Sequence, residues 1–372
     1  MPDRPVEEAT ARIRTRSRFA STQQLGLLGV IVLLAALLTF VGGSTQRRVV
    51  DQETGKAYLI TKNKFLNVDR LLTLAKNTSF FAIMAIGATI VIVAGGIDLS
   101  VAGIYALSGL AGAAVLHHFG PAGGETVPAG WLVVVITIAA CTATGMLCGL
   151  INGAGVVGLG LHPFIITLGT MGIFRGLAFV TTEAQSIGQF HSAFVEGFIS
   201  RRIPLGEYEF IYPIPLLLLI GVAIWGSFYL SQTVSGRKLY AIGGNETAAR
   251  YSGLRVQRLK AATYVLAGLT AGVAAMINIG YHGSAASGDG SGYELEVIAA
   301  AVVGGASLSG GRGTALGAVL GALIIRLIVD GIVILELDQN YSQIIVGSVI
   351  VLAAALDRWQ SAWRSKRQIA QA

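Results

Sequence analysis

Asp98, Arg175, Arg326 and Asp330 lie in or beside apolar runs of the sequence. A charged side chain in such a run costs about 3 kcal/mol on insertion scales, and it marks a pathway, a relay or a buried pair. Asp98 follows a glycine pair in GGIDLS at 95–100 and has two compatible readings. It is a pathway or gating residue, or it or Ser100 caps the following helix. Arg326 and Asp330 are four apart, which is the spacing of an internal ion pair on one helix. Arg175 has no partner that spacing identifies, which makes it a functional candidate. Covalent chemistry finds no support. His117 and His118 are adjacent and would point about 100° apart on a helix, unlike the i, i+4 pair of a helical metal site. The nearest approach to a phosphate-binding loop, Gly55-Lys56-Ala57, lacks both the hydroxyl and the preceding glycine. The expectation is of no catalytic residue, no metal ligands and no ATP hydrolysis by this chain.

Composition defines what must position these groups. Of 372 residues, 53% are hydrophobic and 13% charged, against roughly a quarter charged in a soluble domain. Glycine, at 49 residues without a G-X-Y period, is mixed into the Leu, Ile, Val and Ala runs, as in membrane helices that bring their backbones together. The expected fold is an all-α polytopic membrane protein of about ten transmembrane helices, with runs at 25–42, 74–94, 101–116, 131–151, 163–180, 212–230, 261–280, 294–308, 314–335 and 342–357. The first run is too long for a signal-peptide core and reads as a retained signal anchor.

Basic residues orient the bundle. Arg4, Arg12, Arg14, Arg16 and Arg18 in the tail 1–24, and Arg358, Arg364, Lys366 and Arg367 in the tail 358–372, place both termini in the cytoplasm. The loop 231–260 agrees, with Arg237, Lys238, Arg250, Arg255, Arg258 and Lys260 against the single acid Glu246. Loop 43–70 falls outside despite Arg47, Arg48, Lys56, Lys62, Lys64 and Arg70. The net charge of +7 thus flanks membrane spans and implies lipid rather than nucleic acid.

Two segments read as discontinuous helices. Ser291-Gly-Tyr-Glu294 has capping-box spacing, and Glu294 and Glu296 suit the positive end of the helix that follows. From there to Gly304-Gly305 and Gly310-Gly311 the run is only about 22 Å long, short of a core near 30 Å. An ordinary tilted span is the alternative. GGIDLS is the second segment. An offset of 209 pairs Gly95, Gly96, Leu99 and Ser100 with Gly304, Gly305, Leu308 and Ser309. Glycine-interrupted segments in corresponding places point to a transport pathway, so Gly95, Gly96, Asp98, Ser100, Arg175, Gly304, Gly305 and Ser307 are the pathway or gating candidates. Both copies run in the same direction, so no inverted repeat follows. GxxxG steps at Gly145, Gly149 and Gly153, Gly172 and Gly176, Gly268 and Gly272, and Gly317 and Gly321 read as packing surfaces. Cys141 and Cys148, seven apart, read as packing residues rather than a disulfide. In the external segment 181–211, Phe190, Phe194 and Phe198 recur every fourth residue, as expected of a helix in the interface or packed on the bundle, beside the external mouth.

The cytoplasmic loop carries its own start and stop signals. Asn245 is an N-cap, Glu246 suits a first turn, Ala248 and Ala249 favour helix, and Gly253 takes a left-handed cap. Such a helix of about two turns is too short to persist alone in water, so it should be held by docking, with Arg250 and Tyr251 offered to a partner's groove.

GRKLYAIGGNETAARYSGL at 236–254, GSGYELEVIAAAVVGGASLSGGRG at 290–313, VAGGIDLSVAGIYALSG at 93–109 and HPFIITLGTMGIFRGLA at 162–178 resemble the permease subunits of bacterial monosaccharide ABC importers of the ribose/xylose/galactose type. The resemblance runs from about residue 74 to 357. It implies that Gly244, Asn245, Glu246, Ala248, Ala249, Arg250, Tyr251 and Gly253 form a coupling helix in a groove of an ATP-binding subunit. It also implies a second permease copy or paralogue, an ATPase dimer often made from one tandem-fused chain that binds ATP and Mg, and a periplasmic or lipid-anchored sugar-binding protein. The implied location is the bacterial cytoplasmic (inner) membrane. A ribose-like sugar fits 290–313 best, with autoinducer-2, xylose or a polyol as alternatives. Loop 43–70 is longer and more basic than the family pattern. The competing class is an ion-coupled secondary transporter with Asp98, Arg175 and the Arg326/Asp330 pair as relay.

Overall fold

The structure is a computed structural model that describes residues 4–50, 57–121, 130–204 and 210–369. Side chains of 4–22, 47–50, 57, 58, 60, 210 and 356–369 lie outside that description, as does Lys56 entirely, so the side chains of the tail arginines and of Arg47 and Arg48 enter no contact below. Elements follow in the order α1 (Arg4–Val41), β1 (Ser44–Val50), β2 (Ala57–Asn63), α2 (Val68–Val93), α3 (Val101–His118), α4 (Gly130–Gly158), α5 (Pro163–Thr182) and α6 (Ser192–Phe194), which continues as a π-turn over Val195–Ile199. After β3 (Ile203–Pro204) and β4 (Phe210–Ile211) come α7 (Pro213–Gln232), α8 (Val234–Gly244), α9 (Glu246–Tyr251), α10 (Val256–His282), α11 (Tyr293–Val303), α12 (Ala315–Ile334) and α13 (Tyr341–Ile369).

Eight of the described helices are long and apolar enough to cross a membrane: the Gln23–Val41 part of α1, then α2, α3, α4, α5, α7, α10 and α12. Two of the ten runs read from hydropathy fall short of that length. The apolar part of α13 is Tyr341–Ala355, and α11 has 11 residues, roughly 16 Å. The short run is therefore a half-helix and not a tilted span. Its capping box does not form. Gly292, at φ 86°, occupies the N-cap without a side-chain bond, because the chain arrives there through successive turns at Gly290 and Gly292 that need positive φ.

Helix ends explain the alternation of direction. Asn67 accepts from the Arg70 amide at the start of α2, His162 and Pro163 open α5, and Thr314 accepts from the Gly317 amide at the start of α12. Lys64 pairs with Glu336 at 2.6 Å, joining the strand end before α2 to the end of α12. At the opposite pole the Gly311 amide donates to the Val93 carbonyl. α2 and α11 thus run from the outer pole to the inner one, and α3 and α12 return.

α2 is the centre of the bundle. Every residue from Thr78 to Val93 is buried, beneath α7, α10, α11 and α12. The close α4–α10 crossing is made by glycine. A Cβ on Gly145 would meet the Gly268 carbonyl, one on Gly149 the Tyr264 carbonyl, and one on Gly272 the Cys141 carbonyl. Gly317 and Gly321 likewise seat α12 on Gly304 and Ala300 of α11. These GxxxG faces pack as expected, and Cys141 and Cys148 are free and buried among them. Gly172 and Gly176 do not pack, since nothing stands where their Cβ atoms would be. They belong to the exposed face of α5.

Outside the bundle, β1 and β2 form an antiparallel hairpin with Arg47 opposite Ile60. This element was not anticipated from an all-α reading, although β-branched residues at Val49, Val50, Ile60 and Thr61 favour strand. The aromatic stripe turns inward. Phe194 and Ile199 are fully buried and Phe190 nearly so, and Ile199 lies against Gly280 of α10. The segment packs on the bundle rather than lying in the interface.

Candidate functional site

α8 and α9 pack together as one unit at the inner pole. Thr233 caps α8 through the Gly236 amide at 2.9 Å, and Asn245 breaks the helix in extended conformation while its side chain accepts from the Ala248 amide at 2.9 Å. α9 has six residues, about two turns fewer than a free helix needs to persist in water, so it is held from outside. Ala249 is buried with Ile242 and Val256. Glu246 receives Lys260 at 2.6 Å and Arg250 at 3.0 Å. The hydrogen bond from Lys260, with the charges of Lys260 and Arg250, holds the Glu246 carboxyl below the usual carboxylate range against the effect of burial. Gly253 closes the unit at φ 78°. Glu246 is thus an internal clamp, whereas Tyr251, at 88% exposure, has nothing of this chain over it. Arg250 is also exposed and borders a cleft lined by Leu161, Pro163, Gln257 and Lys260.

The unit rests on two glycine corners that have the same hydrogen-bond pattern. After α2 the amides of Ala94, Gly95 and Gly96 donate to the carbonyls of Ile90, Ile92 and Val91. After α11 those of Gly304, Gly305 and Ala306 donate to Ala300, Val302 and Ala301. Gly95 and Gly305 are the left-handed residues, at φ 78° and 96°. The structural repeat therefore has an offset of 210, one residue from the 209 that matching glycines suggests, and both copies run the same way. Ser307 holds the second corner together, as its amide donates to the Arg312 carbonyl at 3.1 Å and its carbonyl accepts from the Gly310 amide at 2.8 Å.

Gly243 is wedged between the corners. A Cβ there would land on the Val93 carbonyl and the Gly311 amide, while one on Gly244 would meet nothing. Tyr240 adds a hydrogen bond from its hydroxyl to the Gly313 carbonyl at 2.7 Å. Sequence reading passed over Gly243 and Tyr240 in favour of Gly244. The IGG step was the signal, but which glycine bears the contact depends on rotation of α8.

Asp98 and Ser100 belong to a buried chain of hydrogen bonds. The Ser100 amide and hydroxyl donate to Asp98 Oδ1 at 2.9 and 2.6 Å. Asn152 of α4 donates to Ser100 Oγ at 2.6 Å, and Thr170 of α5 donates to Asn152 Oδ1 at 2.6 Å. Ser100 is the N-cap position of α3 but makes no side-chain cap bond. Asp98 instead closes a turn one step earlier. Gly96 stands against the Tyr264 hydroxyl. Asn152 and Thr170, which join three helices here, carried no signal in the sequence because each is a lone polar residue in an apolar run.

Arg175 has partners after all. Its Nη1 donates to the Ser287 and Asp289 carbonyls at 2.8 and 2.7 Å. It thereby pins the loop between α10 and α11 to α5. The loop enters at the outer pole, where Ile187 and Ala285 pair, and reaches a point seven residues below Thr182, about 10 Å down α5. The expected Arg326–Asp330 pair does not form. Arg326 bonds Glu296 of α11 and lies over the Phe81 ring, while Asp330 bonds Arg70 of α2 at 3.0 Å. Partners on neighbouring helices approach head-on, whereas an i, i+4 pair on a buried helix must bend along its own surface. Asp98, Arg175 and Arg326 make their hydrogen bonds to three separate sets of groups, so no continuous relay of side chains connects them among the described residues.

The family model described as the permease component of branched-chain amino acid transport systems matches residues 70–354. The ribose import permease protein of Escherichia coli (strain K12) is 36% identical over 295 residues, covering 79% of this chain and 87% of that protein. The corresponding ribose import permease protein of Bacillus subtilis (strain 168) is 37% identical over 305 residues, 82% and 89% of the two chains. The fructose import permease protein of Rhizobium meliloti is 31% identical over 306 residues, 81% of each. A multi-pass bundle with a re-entrant half-helix, matched over most of its length by these proteins, identifies the chain as a member of the branched-chain amino acid transport system permease component family.

Proposed function

We propose that the chain is the membrane-spanning permease subunit of a bacterial ABC importer that carries a monosaccharide, with a ribose-like sugar as the best fit, across the inner membrane into the cytoplasm. The observation that carries this reading is the α8–α9 unit. A six-residue helix with an exposed Tyr251 at its tip is clamped to the bundle and wedged, through Gly243, between the corners that end α2 and α11. Displacing α9 by a docked subunit would move both corners together. Gly244 to Gly253 thus serve as the coupling helix for a separate ATPase dimer, which binds ATP and Mg and does the hydrolysis.

The remaining partners follow from the same reading. Open glycines on α5 suit a second permease copy, and the external hairpin with the packed 187–204 segment offers a landing surface to a periplasmic or lipid-anchored sugar-binding protein. The sugar names of the relatives support a pentose or hexose cargo. Uptake of labelled pentoses, hexoses and polyols into cells tests the proposal. It should stop on ATP depletion and persist when the proton gradient is collapsed. The reverse pattern would overturn it in favour of an ion-coupled transporter.

A further inference from the structure

One acid in the re-entrant region differs from the others in having no bonded partner among the described residues. Glu296 is bound by Arg326, Asp330 by Arg70, and Asp98 by Ser100. The Asp289 carboxylate accepts from the Ala286 amide at 3.0 Å. Glu294 makes no hydrogen bond or ion pair with any described residue. It lies two residues from Glu296, so the two point about 200° apart around α11. Glu296 faces α12, and Glu294 faces away from it, toward the side where it feels the charge of Arg175 on α5.

Depth makes this carboxylate unusual. Glu294 is nine residues above Val303, the inner end of α11, or about 14 Å, close to the middle of a hydrocarbon core near 30 Å thick. A carboxylate at that level to which no described side chain is bonded is excluded from lipid tails and must face a wet or protein-covered path. The surface around it agrees. Ser291 is exposed and Leu295 is 52% exposed. Beneath the segment, Tyr105 is buried with its hydroxyl unpaired and its ring against Gly290 and Tyr293. Arg175 donates to two carbonyls and thereby shapes the segment, and its charge reaches Glu294 without a hydrogen bond to it.

We propose that Glu294 is a cargo contact midway along the translocation path. Its carboxylate accepts hydroxyl hydrogens from a neutral polyhydroxyl solute, with exposed Ser291 three residues earlier and Arg175 as the residue that positions the segment. Adjacent hydroxyls of any pentose or hexose can donate to the two oxygens of one carboxylate, so such a contact is permissive. The assignment rests on the sugar-import reading above. Its exposure component does not.

The test uses the complete importer in membranes. Cys141 and Cys148 are both buried, so Ser291→Cys and Leu295→Cys can be labelled over a low background. A charged, membrane-impermeant thiosulfonate should modify both, and the transported sugar should slow the reaction. Modification only by a lipid-soluble maleimide would place the face in lipid and overturn the proposal. Glu294→Ala should lower the maximal rate of sugar uptake about tenfold or more, as loss of a hydrogen bond to a charged group does. Glu294→Gln, which keeps size and one acceptor, should fall between the two and covers the case in which the alanine variant fails to assemble. Wild-type uptake by both variants would overturn the assignment. If the wild-type importer takes up no sugar in the panel, the sugar reading itself fails, and the labelling pattern still reports whether the face is wet.

Discussion

The amide of Gly311 donates to the carbonyl of Val93 at 3.0 Å, across 218 residues of chain. It joins the corner that ends α11 to the last residue of α2, and Gly243 of α8 fills the notch between them. One contact therefore links the two half-repeats with the unit proposed to receive the ATPase.

Gly243→Ala and Gly244→Ala should behave differently. A methyl at Gly243 meets backbone on two sides, which cannot yield as a side chain can, and overpacking of this kind costs about 1–3 kcal/mol. Gly244→Ala meets nothing and should match the wild type. Thermal unfolding in detergent measures the stability difference, and sugar uptake per ATP hydrolysed measures coupling. Equal behaviour of the two variants would show that the α8 wedge is unimportant.

Docking of α9 should depend on pH through Glu246. Its folded-state carboxyl is held below the usual range by Lys260 and Arg250, so its contribution is complete above the unfolded value near 4.3 and is lost as pH falls through the lower folded value. Protection of the Ala248 and Ala249 amides, corrected for the pH dependence of intrinsic exchange, should hold from neutral pH down to the ordinary carboxylate range and fall only below it. Glu246→Gln should show the reduced protection already at neutral pH, and Lys260→Met should do so more than Arg250→Ala, because Lys260 is the closer and less exposed partner.

Asp98 separates the two transport classes. Its Oδ1 satisfies two groups of Ser100, so Asp98→Ala leaves buried donors without a partner and should cost about 1–3 kcal/mol. Asp98→Asn retains an acceptor at the same place. If the carboxylate only closes the turn before α3, the asparagine variant should transport normally at every pH. A proton relay would instead lose uptake in Asp98→Asn while the protein remained fully assembled.

Hydropathy made most of the bundle legible, because bilayer thickness dictates run length and short loops dictate order. Small-residue spacing also transferred well, since Gly145, Gly268 and Gly317 can be close to a neighbour only where that neighbour's backbone is. Capping signals located α9 to within a residue at each end. What spacing could not supply was partner choice between helices. The i, i+4 rule suggested Arg326 with Asp330, yet each side chain finds an acid or base on another helix. The glycine repeat was legible in kind but one residue out of register, because glycine identity matches Gly95 with Gly304 while the hydrogen bonds follow the helix ends at Val93 and Val303. Arg175 appeared partnerless because its acceptors are backbone carbonyls, which every residue has and no pattern reveals.

Double-mutant cycles should distinguish the two possible partners of Arg326. Removing one member of a buried pair strands the other, at about 3–5 kcal/mol, while removing both costs much less. Arg326→Met with Glu296→Gln should therefore show a coupling energy of about 2 kcal/mol or more. Arg326→Met with Asp330→Asn should show less, because Asp330 keeps Arg70 at 3.0 Å whichever residue stands at 326. Arg70→Met with Asp330→Asn should restore a large coupling. The measurement is reversible unfolding in mixed micelles of the four corners of each cycle. Equal couplings for Glu296 and Asp330 would mean that Arg326 is shared between them, and the re-entrant helix α11 would then be less firmly anchored to α12 than its contact with Arg326 implies. A firm anchor matters for transport, since α11 carries the inner glycine corner at one end and Glu294 at the other. Loosening it at Arg326 should impair uptake even where the α8–α9 unit is intact.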